Sequence, residues 1–251
     1  MTDYQATGYA RRFARARAFD STTQAVWVAE LCRLAGPTRL ATVVDLGAGT
    51  GRFWPILREA WQSECIIAID KSSRMLAAAD TSSDVHTIVG DIDDLPDFGE
   101  VDGGLCSMVL HYSRDPVAVC RRLYSAIRPG GLLCIRTATQ ENIGAHGFLR
   151  YFPTAQAAER AVMPTLEAVI GWLIQAGFTS VQTKWVTTVP ARSYPDYLGS
   201  VASRGFPSLQ LVPAMEFWRG FGRLTIACAT RRLRQRTVPA DHTLLVSAVR
   251  P

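Results

Sequence analysis

Long apolar runs are missing from this 251-residue chain. None approaches the roughly 20 consecutive apolar residues that a bilayer span requires, so a transmembrane segment is excluded. The opening stretch, MTDYQATGYARRFARARAF, lacks the apolar centre of a secretory signal. Its arginines and alanines match a transit peptide in composition, and a plain helix is the simpler reading. Metal-ligand spacing is also missing. Cys32, Cys65, Cys106, Cys120, Cys134 and Cys228 form no CxxC pair and no Cys/His cluster, so no metal is expected. Three of them lie in apolar runs, where a thiol acts as a small hydrophobe. All six are read as reduced thiols and the protein as cytoplasmic. Lysine is scarce: arginine supplies nearly all of the positive charge behind the net +5. The run TRRLRQR (Thr230 to Arg236) concentrates it. That run reads either as a phosphate or nucleic-acid patch or as the last turn of a helix, where cations offset the dipole. It lacks the interleaved aromatics that stack on bases, so the helical reading is preferred and nucleic acid is not an expected partner. No repeat or low-complexity segment appears.

Apolar residues make up 48% of the chain and charged residues 20%, enough for a large core. The length suits a single domain, 1–251, with elaborations. A strand-then-helix rhythm runs through its first half. ATVVDL (41–46), ECIIAID (64–70) and VHTIVGD (85–91) are apolar runs that each end in an acid; GGLCSMVLH (103–111) and GGLLCIRTAT (130–139) are further buried-strand candidates. Unalternating runs of Val, Ile and Leu suit strands covered on both faces, as in parallel sheets. Helical segments lie between them: GRFWPILREAW, SSRMLAAAD, and DPVAVCRRLYSAI with Asp115 as N-cap and Pro116 at the first helical position. RPGG (128–131) ends the last of these and turns into the next strand. The expected fold is a doubly wound α/β sheet.

The second half changes character. PTLEAVIGWLIQAGF is an amphipathic helix ending at Gly177, and FTSVQTKWVTTV and DHTLLVSAVR are strands. About 50 residues separate those two strands, too many for a hairpin. Residues 190–239 therefore form an insertion, helical around EFWRGFGRLTIACATRRL, whose Phe217, Trp218 and Phe221 are core or pocket lining. Residues 140–163 form an irregular stretch rich in aromatics. A helical segment, 1–35, precedes the first strand, and all three are expected to act as lids beside the core at 41–139.

The glycines of DLGAGTG carry the chemistry. A Gly-rich turn after a strand brings backbone and a helix N-terminus close to a ligand. Gly47, Gly49 and Gly51 are evenly spaced, unlike the G-x-G-x-x-G of dinucleotide folds. Asp45 would face a pyrophosphate in such a fold, whereas beside an ammonium group it is well placed. Asp70 closes the second strand, about 20 residues on, the position of an acid that holds ribose hydroxyls. Asp91 closes the third and suits the exocyclic amine of an adenine. The implied ligand has an ammonium, a ribose and an adenine, and needs no phosphate.

On these residues the chain resembles the class I S-adenosylmethionine-dependent methyltransferases. VVDLGAGTGRF is similar to their first motif, IIAIDKSSRML to the second, VGDIDDLP to the third, VDGGLCSMVLHYSRDP to the fourth and AIRPGGLLCI to the turn into the fifth strand. Each motif alone is weak; five in register over 42–139 are strong. The nearest subgroup is the small-molecule enzymes related to ubiquinone and menaquinone biosynthesis (type 11). The resemblance implies a seven-stranded sheet of order 3-2-1-4-5-7-6 with an antiparallel last strand, and S-adenosylmethionine as cofactor. It implies a cofactor site of Asp45, Gly47, Ala48, Gly49, Gly51, Asp70, Asp91 and Ile92, with Lys71, Ser107, Met108 and Val109 as lining. Met75 is pocket lining or helix core. Arg17 meets the cofactor carboxylate from the lid helix or is simply exposed there.

His111 falls at the reacting end of the sheet and suits a general base near neutral pH; packing against the cofactor or a loop carbonyl is the alternative. Tyr9, Tyr112, His146 and Tyr151 are candidate acceptor contacts. His86 and His242, at strand starts, are set aside. The [ND]-P-P-[YF] turn and the Pro-Cys dipeptide of base-modifying enzymes are absent, so the expected acceptor is a small, apolar or aromatic metabolite, of secondary metabolism, methylated on O, N or C. Rival readings are a cyclase that keeps the cofactor site and an RNA methyltransferase using the basic C-terminal helix. A monomer or homodimer with no membrane contact is expected.

Overall fold

The computed structural model describes Ala10, Ala14 and residues 18–80, 82–145, 147–189, 191, 193–234, 238 and 240–251. Seven strands form one sheet: β1 (Thr42–Leu46), β2 (Cys65–Asp70), β3 (Val85–Val89), β4 (Val101–Ser107), β5 (Ile127–Thr137), β6 (Thr179–Thr188) and β7 (Asp241–Val249), in the order β3-β2-β1-β4-β5-β7-β6. The first five pair in parallel, and β7 runs antiparallel to both neighbours, β5 and β6. This is the expected doubly wound sheet. Strand order reverses between β1 and β4, and in such sheets ligands bind outside the strand C-termini at that point.

Capping chemistry sets the helices. In α1 (Ser21–Ala35), Asp20 Oδ1 accepts from Thr23 N at 2.8 Å, and Gly36 ends the helix with φ of 59°. α2 (Trp54–Trp61) starts three residues after the last glycine of the loop. Ser72 caps the short α3 (Ser73–Ala77). Asp115 caps α4 (Pro116–Ala126), its Oδ1 accepting from Ala118 N at 3.0 Å. Thr165 caps α6 (Leu166–Ala176), which ends at Gly177 with φ of 103°. The RPGG segment differs from expectation. The helix stops at Ala126, and 128–131 already belong to β5, held by Gly130 N donating to Arg250 O at 2.7 Å.

α4 and α6 cover one face of the sheet; α1 and α2 cover the other, around the fully buried Trp27, Trp54 and Trp61. The N-terminal helix α1 is thus part of the sheet's own layer. Stretch 140–163 is not irregular: two 3₁₀ turns lead into α5 (Pro153–Val162). Aromatics masked this helix, because PTAQAAERAV carries few large apolar residues. Stretch 190–239 supplies α7 (Tyr194–Ala202), a 3₁₀ turn and α8 (Ala214–Leu233). The two stretches share one core, in which Phe152 stacks on Phe217 at 5.5 Å and Tyr197, Leu209 and Leu224 are buried. Together they form a cap with a core of its own.

Candidate functional site

The glycine loop leaves β1 and turns across the end of β2. Gly47, Gly49 and Gly51 have φ of 71°, 57° and 73°, the left-handed region that side chains disfavour. Sterics add to this at two of them. A Cβ on Gly47 would fall inside the Val109 side chain, and one on Gly51 would lie 2.5 Å from the Trp54 ring. The loop turns its N–H groups inward. Gly47 N and Ala48 N donate to Ile69 O, Gly51 N to Ala48 O, and Gly49 N to Asp70 Oδ2 at 2.8 Å. A phosphate cradle aims such groups at its ligand; this loop offers shape and flanking acids instead.

Those acids sit at adjacent strand ends. Asp45 is 2% exposed, and its Oδ2 accepts from Trp54 Nε1 at 3.0 Å. Burial pushes its carboxyl up to about 7, opposed by the Trp54 hydrogen bond, with the nearby Asp70 adding to the rise. Asp70 accepts from Gly49 N and from Ser72 N, both at 2.8 Å. Burial still holds it above the usual carboxylate range.

Asp45, Asp70 and the loop line a cleft of about 130 Å³ whose apolar wall includes Ile69, Met75 and Ile92. A second cavity of about 840 Å³ lies between the strand ends and the cap. Arg52, Met108, Glu159 and Pro207 belong to both walls and mark where the two meet. Met108 has φ of 57°, a strained state for a non-glycine residue that is concentrated at functional sites. In the larger wall Arg136 is 7% exposed. Its guanidinium lies 5.0 Å from the Trp27 ring centre and donates to Ser107 Oγ and Thr243 Oγ1 at 3.4 Å.

Residues 43–131 match the family described as a methyltransferase domain. They form a class I S-adenosylmethionine-dependent methyltransferase domain. The chain is 32% identical over 139 residues to a malonyl-[acyl-carrier protein] O-methyltransferase of Marinomonas sp. (strain MWYL1), covering 52% of each chain. It is 28% identical over 153 residues to a trans-aconitate 2-methyltransferase of Azoarcus sp. (strain BH72), covering 59% of this chain and 60% of that one. The chain thus spans about half, or slightly more, of the curated relatives it matches. The fold is shared with an Anabaena variabilis protein assigned to an antibiotic biosynthesis pathway as a methyltransferase. That comparison has a TM-score of 0.72 at 18% identity, over 94% of this chain and 99% of that one.

Most of the expected cofactor residues line the smaller cleft: Asp45, Gly47, Ala48, Gly49, Asp70, Lys71, Met75, Ile92, Ser107, Met108 and Val109. Gly51 stands behind the lining, against Trp54. Asp91 is exposed, and its Oδ1 accepts from Asp93 N at 3.1 Å; its neighbours Gly90 and Ile92 face the cleft instead. His111 and Tyr112 line the cleft but not the larger cavity. Tyr151 is half-buried in the cap core and lines neither. Neither do Phe217, Phe221 or the exposed Trp218. Tyr9, Arg17 and His146 lie outside the described residues. His242 was set aside as remote, yet β7 is antiparallel, so its start lies at the site's end of the sheet; there Nδ1 meets Thr187 Oγ1 at 3.0 Å. Sequence reasoning missed Arg52, Phe53, Arg136 and Glu159. Arg52 and Phe53 directly follow the glycines and were within reach of it. Glu159 was hidden in a helix read as irregular.

Proposed function

We propose that this protein transfers the methyl group of S-adenosylmethionine to a small acidic acceptor held in the larger cavity. The observation that carries this is the meeting of the two cavities at Arg52, Met108, Glu159 and Pro207. The donor set fits the cofactor: buried acids for an ammonium and a ribose, an apolar wall for a purine, and no outward N–H cradle. When bound, S-adenosylmethionine supplies an electrophilic methyl on a sulfonium. The chain's task is then to hold the acceptor close and aligned. Asp70 is the ribose acid; Asp45, ionised, faces the ammonium; Ile69, Met75 and Ile92 enclose the adenine.

This reading departs from the apolar or aromatic metabolite expected from sequence. Beside Phe148, Leu149 and Phe206, the larger cavity carries two permanent cations, Arg52 and Arg136, among the carboxylates of Asp20, Glu159, Asp196 and Asp241, so an acidic acceptor has to pair with the arginines locally. Both named relatives, by their names, act on acidic compounds. A carboxylate acceptor is already ionised, so it needs no base. A second reading rests on Glu159, the one carboxylate among the residues both walls share. There Glu159, rather than His111, takes the proton of a hydroxyl or amine acceptor. A panel of carboxylates, phenols and amines, followed by S-adenosylhomocysteine release, tests both. Carboxylate turnover that survives Glu159→Gln supports the first reading. Phenol or amine turnover that falls about 100-fold or more in that variant supports the second. Product formed without S-adenosylhomocysteine release overturns methyl transfer in favour of a cyclase. Catalysis where the two cavities meet makes the sheet core of 41–139 and the cap one functional unit.

A further inference from the structure

Helix α8 is apolar on two opposite faces. Its inner face carries the buried Phe217, Gly220, Leu224 and Cys228 and packs into the cap core. Gly220 sits so close to the chain that a Cβ there would strike the Tyr151 carbonyl oxygen. The outer face carries Met215, Trp218, Ile226 and Leu233, which are 76%, 66%, 69% and 86% exposed. At 100° per residue these four, with Gly222 and Ala229 between them, fall in a stripe about 80° wide and about 27 Å long. No polar residue interrupts it. Arg219, Arg223 and Arg234 border the stripe on one side and Arg232 on the other, all exposed. Among the described residues none of the four is in a salt bridge.

Scattered exposed hydrophobics are ordinary; a continuous stripe with cationic borders is not. From this pattern we infer that the outer face of α8 docks onto an anionic lipid surface. Interfacial helices have this design: apolar side chains enter the acyl boundary while arginines remain among anionic headgroups. Trp218 sits in the stripe, and tryptophan favours that depth. A nucleic acid would meet the arginines equally well, but the aliphatic stripe gives it little to bind. A second copy of this chain would cover the stripe but bring like-charged borders together. Docking of this kind is not spanning: no helix among the described residues is long and apolar enough to cross a membrane. None of the stripe's four exposed residues lines either cavity, so the docking holds whatever the acceptor is.

Co-sedimentation of the full chain with vesicles tests it. Binding is expected to vesicles of phosphatidylcholine with 30 mol% phosphatidylglycerol as probe (a proportion of about one anionic lipid in three) and to weaken as salt rises. Pure phosphatidylcholine is expected to bind at least about tenfold less well. The triple variant Trp218→Ser, Ile226→Ser, Leu233→Ser, at largely exposed positions, is expected to remain folded and to keep its S-adenosylhomocysteine affinity while losing vesicle binding about tenfold or more. Quenching by brominated lipid in the wild type, absent in Trp218→Phe, places the helix in the interface. Failure of the wild type to bind anionic vesicles at low salt overturns the inference. So does equal binding by the triple variant, or preferential binding of yeast tRNA that the triple variant retains.

Discussion

Asp45 shows one residue serving two opposed demands. Its carboxyl is buried and pushed up to about 7, against the ordinary value of about 3.9 in an unfolded chain. A raised folded-state pKa gives stability that is complete below the unfolded value and lost as pH rises through 7. Above pH 7 the native state therefore bears the full cost of a buried charge. Asp45→Asn is expected to raise thermal stability at pH 8 by about 1–3 kcal/mol, with little change at pH 3.5, as calorimetric melts at both values would reveal. The same substitution is expected to weaken S-adenosylhomocysteine. In the wild type, binding at pH 6 has to ionise Asp45, so affinity should rise with pH and level off above 7, and isothermal titration in buffers of different ionisation enthalpy should show proton release. Asp70 presents a plainer case. Asp70→Ala removes hydrogen bonds to a charged group and is expected to weaken S-adenosylhomocysteine about 10- to 100-fold. Unchanged affinity in that variant would remove the ribose assignment.

At the scale of elements, the glycine loop and the helix after it act together. Gly51 admits the Trp54 ring, and Trp54 in turn holds Asp45. Gly51→Ala is expected to destabilise the fold by more than about 1 kcal/mol and to shift the pH midpoint of S-adenosylhomocysteine binding, because Trp54 no longer holds its partner. This element was legible in sequence: three glycines after an apolar run leave few other conformations. Strand order was legible through the resemblance alone, since no local pattern says which strands will be neighbours. The direction of β7 was legible, yet its meaning for His242 was not drawn, since a residue's distance from a site depends on which way its strand runs. Helix α5 was not legible, because Ala155 is its one buried residue and so small a side chain marks no apolar face. Glu159 went with it.

At the scale of the whole molecule, the cap and the sheet hold separate cores. The cap core depends on residues distant in sequence, Phe152 on one side and Phe217 on the other, so no local pattern announced it. Gly220→Val is expected to loosen that core alone. Native-state hydrogen exchange should then show faster exchange in α7 and α8 while β1, β2 and β4 keep wild-type protection; equal loss in both regions would mean that cap and sheet open as one unit.

β7 lies between β5 and β6, and β6 has no other neighbour in the sheet. During synthesis α5 emerges before β6, the rest of the cap after it, and β7 only afterwards. Until β7 arrives, β5 presents an open edge and β6 has nothing to pair with. The nascent chain thus holds a formed glycine-loop cleft beside an unfinished larger cavity, and the latter closes late, through contacts of long sequence separation. A chain shortened before Asp241 would lose two strands rather than one, together with the floor that Asp241 and Thr243 supply to the larger cavity.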